Sequence, residues 1–248
     1  MKIYRTIFFL AVAYLLQACA GPSILQSNWK PKTRNADQLY NETPASFLFS
    51  RDDISLKVFN NREKINLILE SNTPITVEKI LRLGLSIWID PSGKNNRNLG
   101  VNFPLPFEDQ AKLSDRLPGY ALTPDHLNAV FQNLNEIELV NFIPDETLTI
   151  SRIETEEGVS VQLLSLPNKL FRYNLSILLN KLYPQMDELK AGTKLSIGIS
   201  SVNEPDSEYY SAMSSREVIR KKMDQLKAGN VSTKEITEQW MTFELATP

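Results

Sequence analysis

Ile54-Ser55-Leu56-Lys57-Val58, a polar cluster Asn60-Asn61-Arg62-Glu63, and then Ile65-Asn66-Leu67-Ile68-Leu69-Glu70 form the stretch that decides the fold. Ile54, Leu56 and Val58 recur at every second position, as do Ile65, Leu67 and Leu69. That period places each set on one face of an extended chain, whereas a helix would scatter it. The intervening cluster is turn chemistry, so the two runs read as a β-hairpin with one buried face.

The same rhythm returns downstream. Residues 85–90 read as a strand. Pro91-Ser92-Gly93-Lys94-Asn95-Asn96 reads as a turn, because proline sets φ while glycine and asparagine accept positive φ. Residues 99–103 return as a strand that Pro104 and Pro106 end, since proline cannot donate to a ladder. Further strands are expected over 137–142, 147–153, 159–164, 170–178, 194–200 and 240–245. Helices interrupt rarely. Val77, Ile80, Leu81 and Leu83 suit a short helix over 76–83 that Gly84 can stop. Thr123 is an N-cap, Pro124 the first helical residue and Asp125 a favourable first-turn acid; Leu127, Val130, Phe131 and Leu134 then share a face. Many short strands and few helices predict a mainly β fold: an antiparallel β-sandwich with one or two short helices, spanning 47–248 as one domain.

One long polar insertion, 203–238, interrupts the strand series. Within it, Ser214 and Glu217 match a capping box before a helical stretch that Gly229 stops. That stretch carries Arg216, Arg220, Lys221, Lys222 and Lys227 above an apolar stripe of Ile219, Met223 and Leu226, which reads as a solvated helix on the sandwich.

The N-terminus reads as an export signal. Lys2 and Arg5 precede an apolar run, 7–16, too short to cross a bilayer but right for a signal peptide. It ends in Leu16-Gln17-Ala18-Cys19, a lipobox pattern whose cysteine is acylated and becomes the mature N-terminus. We therefore expect a signal peptide at 1–18, then a lipidated N-terminus and tether at 19–46, with Trp29 partly docked on the domain. Ala20, not an acidic residue, follows Cys19, and no acidic run comes next; the outer membrane and its periplasmic face are the expected location.

Cleavage before Cys19 removes 18 of 248 residues, and with them Lys2 and Arg5, so 25 of 27 basic residues face 29 acidic ones. This mild acidity argues against a nucleic-acid partner. Cys19 is the only cysteine, so the fold stands without a disulfide although the compartment permits one. No later apolar run is long enough to span a membrane.

Catalytic chemistry is poorly provided for. His126 is the single histidine, in the first turn of a helix, and no G-x-S-x-G elbow occurs. One histidine and no free thiol serve zinc badly. The oxygens of Asp90, Ser92, Asn95, Asn96 and Asn98 raise calcium, but Lys94 and Arg97 share that loop, so it reads as a turn; no cofactor is expected. Asp52 with Asp53, Glu136 with Glu138, and Glu154 with Glu156 and Glu157 are the carboxylate pairs a glycosidase would need, which is the alternative reading.

Aromatic residues point to binding. Trp88 lies on the strand face opposite Ile87 and Ile89, with Ser86 and Asp90. Trp240 shares a face with Thr242 and Glu244, opposite Met241, Phe243 and Leu245. Trp88, Asp90 and Trp240, with Tyr209 and Tyr210 in the insertion, are the candidate ligand contacts.

Several segments carry a family resemblance: Lys79-Ile80-Leu81-Arg82-Leu83-Gly84, Ile87-Trp88-Ile89-Asp90-Pro91, Gly93-Lys94, Leu99-Gly100-Val101 with Phe103-Pro104, Leu170-Phe171-Arg172-Tyr173, and Leu195-Ser196-Ile197-Gly198-Ile199. Together they resemble lipoproteins of Bacteroidetes-type bacteria with a β-sandwich like the family-nine carbohydrate-binding modules and DOMON domains. The resemblance implies a sandwich that binds a ligand and carries no ligand residue across. The expected function is a non-catalytic envelope binding module, its partners a membrane reached through acylated Cys19 and a glycan or envelope protein. A structural subunit of an envelope assembly is a further alternative.

Overall fold

The computed structural model describes residues 24–31, 36–106, 123–151, 158–185, 189–202, 236 and 238–247. In chain order these form β1 (Leu25–Gln26), β2 (Asn28–Trp29), α1 (Ala36–Glu42), β3 (Phe47–Phe49), β4 (Ile54–Asn60), β5 (Lys64–Ser71), α2 (Pro74–Leu83), β6 (Ser86–Asp90) and β7 (Leu99–Asn102). There follow α3 (Pro124–Gln132), β8 (Glu136–Val140), β9 (Thr147–Ser151), β10 (Val159–Leu166), β11 (Lys169–Leu178), α4 (Leu179–Leu182), β12 (Lys194–Ser200) and β13 (Gln239–Glu244).

The strands make two sheets. The seven-stranded sheet runs β1-β13-β12-β6-β7-β8-β9, and the six-stranded sheet runs β10-β11-β5-β4-β2, with β3 also on β4. All pairings are antiparallel except β1 with β13 and β2 with β4. The hairpin over β4 and β5 forms as its alternation dictates, Leu56 facing Leu69 and Val58 facing Leu67. Their inner faces meet Ile87, Ile89, Val101, Leu139, Ile197 and Phe243 of the other sheet in one apolar core. This is the expected antiparallel sandwich. Four short helices are described rather than one or two.

The tether expected at 19–46 is folded where it is described. Leu25–Gln26 pairs with β13 of one sheet and Asn28–Trp29 with β4 of the other, so a few residues step across the sandwich edge. Ser27 sits at the step. Its backbone N–H donates to the Glu244 carbonyl at 3.1 Å, and its hydroxyl to Asn60 Oδ1 at 2.5 Å. Asn60, fully buried, also donates through Nδ2 to the Ala246 carbonyl at 2.8 Å. Two-residue strands have no periodicity to read, so the sequence predicts only a tether with Trp29 partly docked.

The outer face of the six-stranded sheet is covered by α1. Leu39 and Tyr40 of the helix pack on Phe59 and Ile68, which point away from the main core. Beneath it lies an ion network. Glu70, 2% exposed, receives Arg172 Nε at 2.8 Å and lies 3.1 Å from Lys57 Nζ. Lys57 also donates to the Tyr40 carbonyl, and Arg172 to Asn41 Oδ1, so the helix backbone and side chains complete the network. Burial pushes the Glu70 carboxyl up, but hydrogen bonds from Lys57 and Arg172 and their charges outweigh it and hold it below its usual 4.5.

Removing one member of such a buried cluster strands its partners' charges, at about 3–5 kcal/mol. Glu70→Gln is therefore expected to lower the unfolding free energy by about 3–5 kcal/mol in a denaturant titration. Because the folded carboxyl is more acidic than the unfolded one, this stabilisation is complete above pH 4.5 and is lost as pH falls through the folded value. The variant's stability should accordingly vary less with acid than the wild type's; an unchanged midpoint in E70Q contradicts the assignment.

Candidate functional site

The principal helix–strand contacts, those of α2, α3 and α4, fall on β10, β11 and β5 of the six-stranded sheet, where α1 also packs. None of these principal contacts falls on the seven-stranded sheet. Its middle carries a row set by register: Val140 opposite Gly100, Gly100 opposite Trp88, Trp88 opposite Gly198, and Gly198 opposite Trp240. Each tryptophan thus has a glycine on the next strand.

The rings lie down on those glycines. A Cβ placed on Gly100 would come within 2.7 Å of Trp88 Cζ3, and one on Gly198 within 2.7 Å of Trp240 Cε2. Real Cβ atoms do not tolerate such contacts, so only glycine at these positions lets the indoles rest flat against the backbone. This is aromatic coverage of a strand glycine, and it fixes ring orientation without a surrounding core. Both tryptophans remain partly exposed.

Polar groups link the two rings. The Arg97 guanidinium lies 5.3 Å from the centre of the Trp88 ring, a cation–π contact. Arg97 is also ion-paired with Glu238, which accepts a hydrogen bond from Trp240 Nε1 at 2.6 Å. The Arg97 hydrogen bond is the main reason the Glu238 carboxyl sits below its ordinary value; burial opposes it and the indole N–H assists. Trp88, Arg97, Glu238 and Trp240 therefore form one connected unit.

Asp90 places Arg97. Its carboxylate accepts from Ser92 N (2.8 Å), Ser92 Oγ (2.6 Å), Lys94 N (2.8 Å), Asn96 N (2.9 Å) and Asn98 Nδ2 (2.8 Å). Burial raises this carboxyl, but those hydrogen bonds outweigh it and keep it below the usual range. Gly93 and Asn95 take the positive φ the tight loop requires. Asp90 is fully buried, with its oxygens engaged within the loop that carries Arg97 to the Trp88 ring.

Further polar groups flank the row. Ser86 Oγ donates to Asn102 Oδ1 at 2.7 Å, and Asn102 Nδ2 to Glu138 Oε2 at 3.1 Å. Ser196 and Thr242 share a hydrogen bond of 2.8 Å.

Of the residues expected to bind, the structure brings Trp88 and Trp240 to one face. Cys19, Tyr209, Tyr210, the basic helical stretch, Glu154, Glu156 and Glu157 lie outside the described residues. Arg97, Glu238, Gly100 and Gly198 were not foreseen as site residues. The two glycines did carry a signal, because a glycine inside a strand marks a close approach. The carboxylates weighed for hydrolysis go elsewhere. Asp52 is buried on Lys79 at 2.9 Å, Asp53 accepts from Thr73, and Glu138 serves Asn102. Among the described residues no cluster of three or more His, Cys, Asp or Glu could hold a metal.

No protein-family profile matches the chain, and no curated protein matches it by sequence. Solved structures similar in backbone include two with carbohydrate-binding descriptions. One is a family 9 carbohydrate-binding module from Caldicellulosiruptor kristjanssonii in complex with glucose, with 12% identity, a TM-score of 0.37, and coverage of 91% of this chain and 96% of that one. The other is a protein from Bacteroides uniformis assigned provisionally as carbohydrate-binding, with 9% identity, a TM-score of 0.39, and coverage of 91% and 100%. At these values the folds do not superpose closely enough for any site position to be carried across.

Proposed function

We propose that this protein is a non-catalytic glycan-binding module whose platform is the Trp88–Trp240 face. The observation that supports the reading best is the pair of indoles lying on glycines in one register row. An aromatic face offers the C–H side of a sugar ring a large apolar contact, and rings already held flat lose little freedom on binding. The two tryptophans are two strands apart, roughly 10 Å, a span that suits alternate sugars of one extended chain. Arg97 and Glu238 neutralise each other beside them, and supply donors and acceptors for hydroxyls without selecting an ionic ligand. Asp52, Asp53 and Glu138, three of the described carboxylates weighed for hydrolysis, are committed to ion pairs and hydrogen bonds, which favours retention over cleavage.

Affinity electrophoresis through gels containing soluble β-glucan, xylan or mannan tests this reading. At least one polymer should retard the wild type, without release of new reducing ends. Trp88→Ala and Trp240→Ala should each weaken retardation by on the order of tenfold, as for truncation of an interface hot spot. Retardation that survives both substitutions, or no retardation by any glycan, overturns the platform.

We further propose that acylated Cys19 holds the domain on the periplasmic side of the outer membrane, a reading supported by the charged, apolar and Leu-Gln-Ala-Cys segments in sequence. Cys19→Ser should move the protein from the membrane pellet to the soluble fraction. Unchanged sedimentation with membranes contradicts the anchor.

A further inference from the structure

The outer face of the six-stranded sheet, on the far side of the sandwich from the indoles, holds a polar hollow of about 380 Å³ beside α1. Register builds its floor. Ser160, Ser176 and Asn66 stand in one row across β10, β11 and β5, and Gln162, Asn174 and Ile68 stand in the next. Five of these six side chains are neutral hydrogen-bonding groups, and all six sit on strands rather than loops. Lys30, Asp37 and Tyr40 form the rim.

Two polar atoms in this floor are unmatched. Asn66 is only 5% exposed, and its Nδ2 is buried with no hydrogen-bond partner. Asn174 Oδ1 is likewise buried and without a partner. Buried polar side chains in folded proteins are nearly always satisfied, so an orphan pair in one hollow is unusual. Asn66 lies opposite Ser176, which makes Asn174 its diagonal neighbour, roughly 7–8 Å away between backbones. One orphan is a donor and the other an acceptor. A small rotation of the two amides would admit a single hydroxyl that accepts from the first and donates to the second.

We propose that this hollow is a second ligand site that takes one sugar ring, with a ring hydroxyl bridging Asn66 Nδ2 and Asn174 Oδ1. The remaining lining agrees. Ser160, Ser176 and Gln162 both donate and accept, as the hydroxyls of a cyclic polyol do. An anionic ligand fits worse. The lining holds two lysines, but Lys30 is already bonded to Tyr40 Oη at 2.7 Å and Asp37 sets a negative charge against Lys64. The size suits one ring rather than a polymer lying along the sheet. The site is independent of the tryptophan platform, and the two together would let one domain hold a chain on one face and a free or terminal sugar on the other.

The test titrates the lipidated full-length protein in detergent with glucose, galactose, mannose and N-acetylglucosamine, and with acetamide as a probe that offers an amide but no hydroxyl. At least one sugar should bind the wild type more tightly than acetamide. Asn66→Ala and Asn174→Ala should each weaken that sugar tenfold or more, in the wild-type and the Trp88→Ala background alike. Because Asn66 is central in β5, Gln162→Ala on the exposed side of β10 serves as a second variant; it should lower affinity several-fold with no shift in the unfolding midpoint. The proposal fails if no sugar binds, if binding survives both asparagine variants, or if acetamide binds as well as the best sugar. It also fails if Trp88→Ala abolishes monosaccharide binding while Asn66→Ala spares it, since that places the ring on the indole face. Loss of polysaccharide retention in the tryptophan variants with monosaccharide binding intact separates the two sites.

Discussion

A tryptophan can lie flat on a β-sheet only where the neighbouring strand carries no side chain. That single steric condition governs the face described above. Gly100 meets it under Trp88, and Gly198 meets it under Trp240. With alanine at either position the indole would have to lift, its edge would turn outward, and the contacts of Arg97 and Glu238 with the rings would separate. The Asp90 loop depends on the same arrangement from the other side. Five hydrogen bonds to one buried carboxylate set the loop path, and the loop delivers Arg97 to the Trp88 ring.

The two outer faces of the sandwich are treated differently. On the six-stranded sheet, α1 covers Phe59 and Ile68 and seals Glu70 among Lys57, Arg172 and helix groups. A buried ion cluster of this kind gives little net stability over an apolar packing, but it penalises any misplacement of the helix, because a shift strands a charge. The N-terminal segment is thereby tied twice, once by its short strands at the sandwich edge and once by this network. The seven-stranded sheet has no such cover among the described helices. Its outward residues include aromatic rings fixed by glycine, an arrangement suited to a surface that must be firm before a partner arrives.

Much of the architecture was legible from period-two patterning. The strands around Leu56, Leu67, Ile87 and Ile197 appear where their alternation places them, and the opposite orientation of Trp88 follows directly from Ile87 and Ile89 pointing inward. Other features lay beyond any local reading. Arg97 and Glu238 are 141 positions apart, and only the adjacency of the β6–β7 loop to β13 brings them together. The covering helix escaped notice because seven residues amid prolines carry little periodic signal, although Phe59 and Ile68 in the polar phase of their strands hinted that something must lie on them. The sequence marks Asp90 without showing its part in ordering the turn. A carboxylate at the mouth of an Asn- and Ser-rich turn looks the same in sequence whether it meets a ligand or organises the turn.

The central claim is that the two glycine-seated indoles act together as a glycan platform. The most direct measurement follows the indole N–H resonances of the chain's three tryptophans during titration with tetrasaccharides of β-1,4-linked glucose, xylose and mannose. The account predicts that with one of these the Trp88 and Trp240 signals move together along a single binding curve, while Trp29, on β2 of the other sheet, stays in place. If neither signal moves with any of the three, or if Trp29 moves alone, the account is wrong.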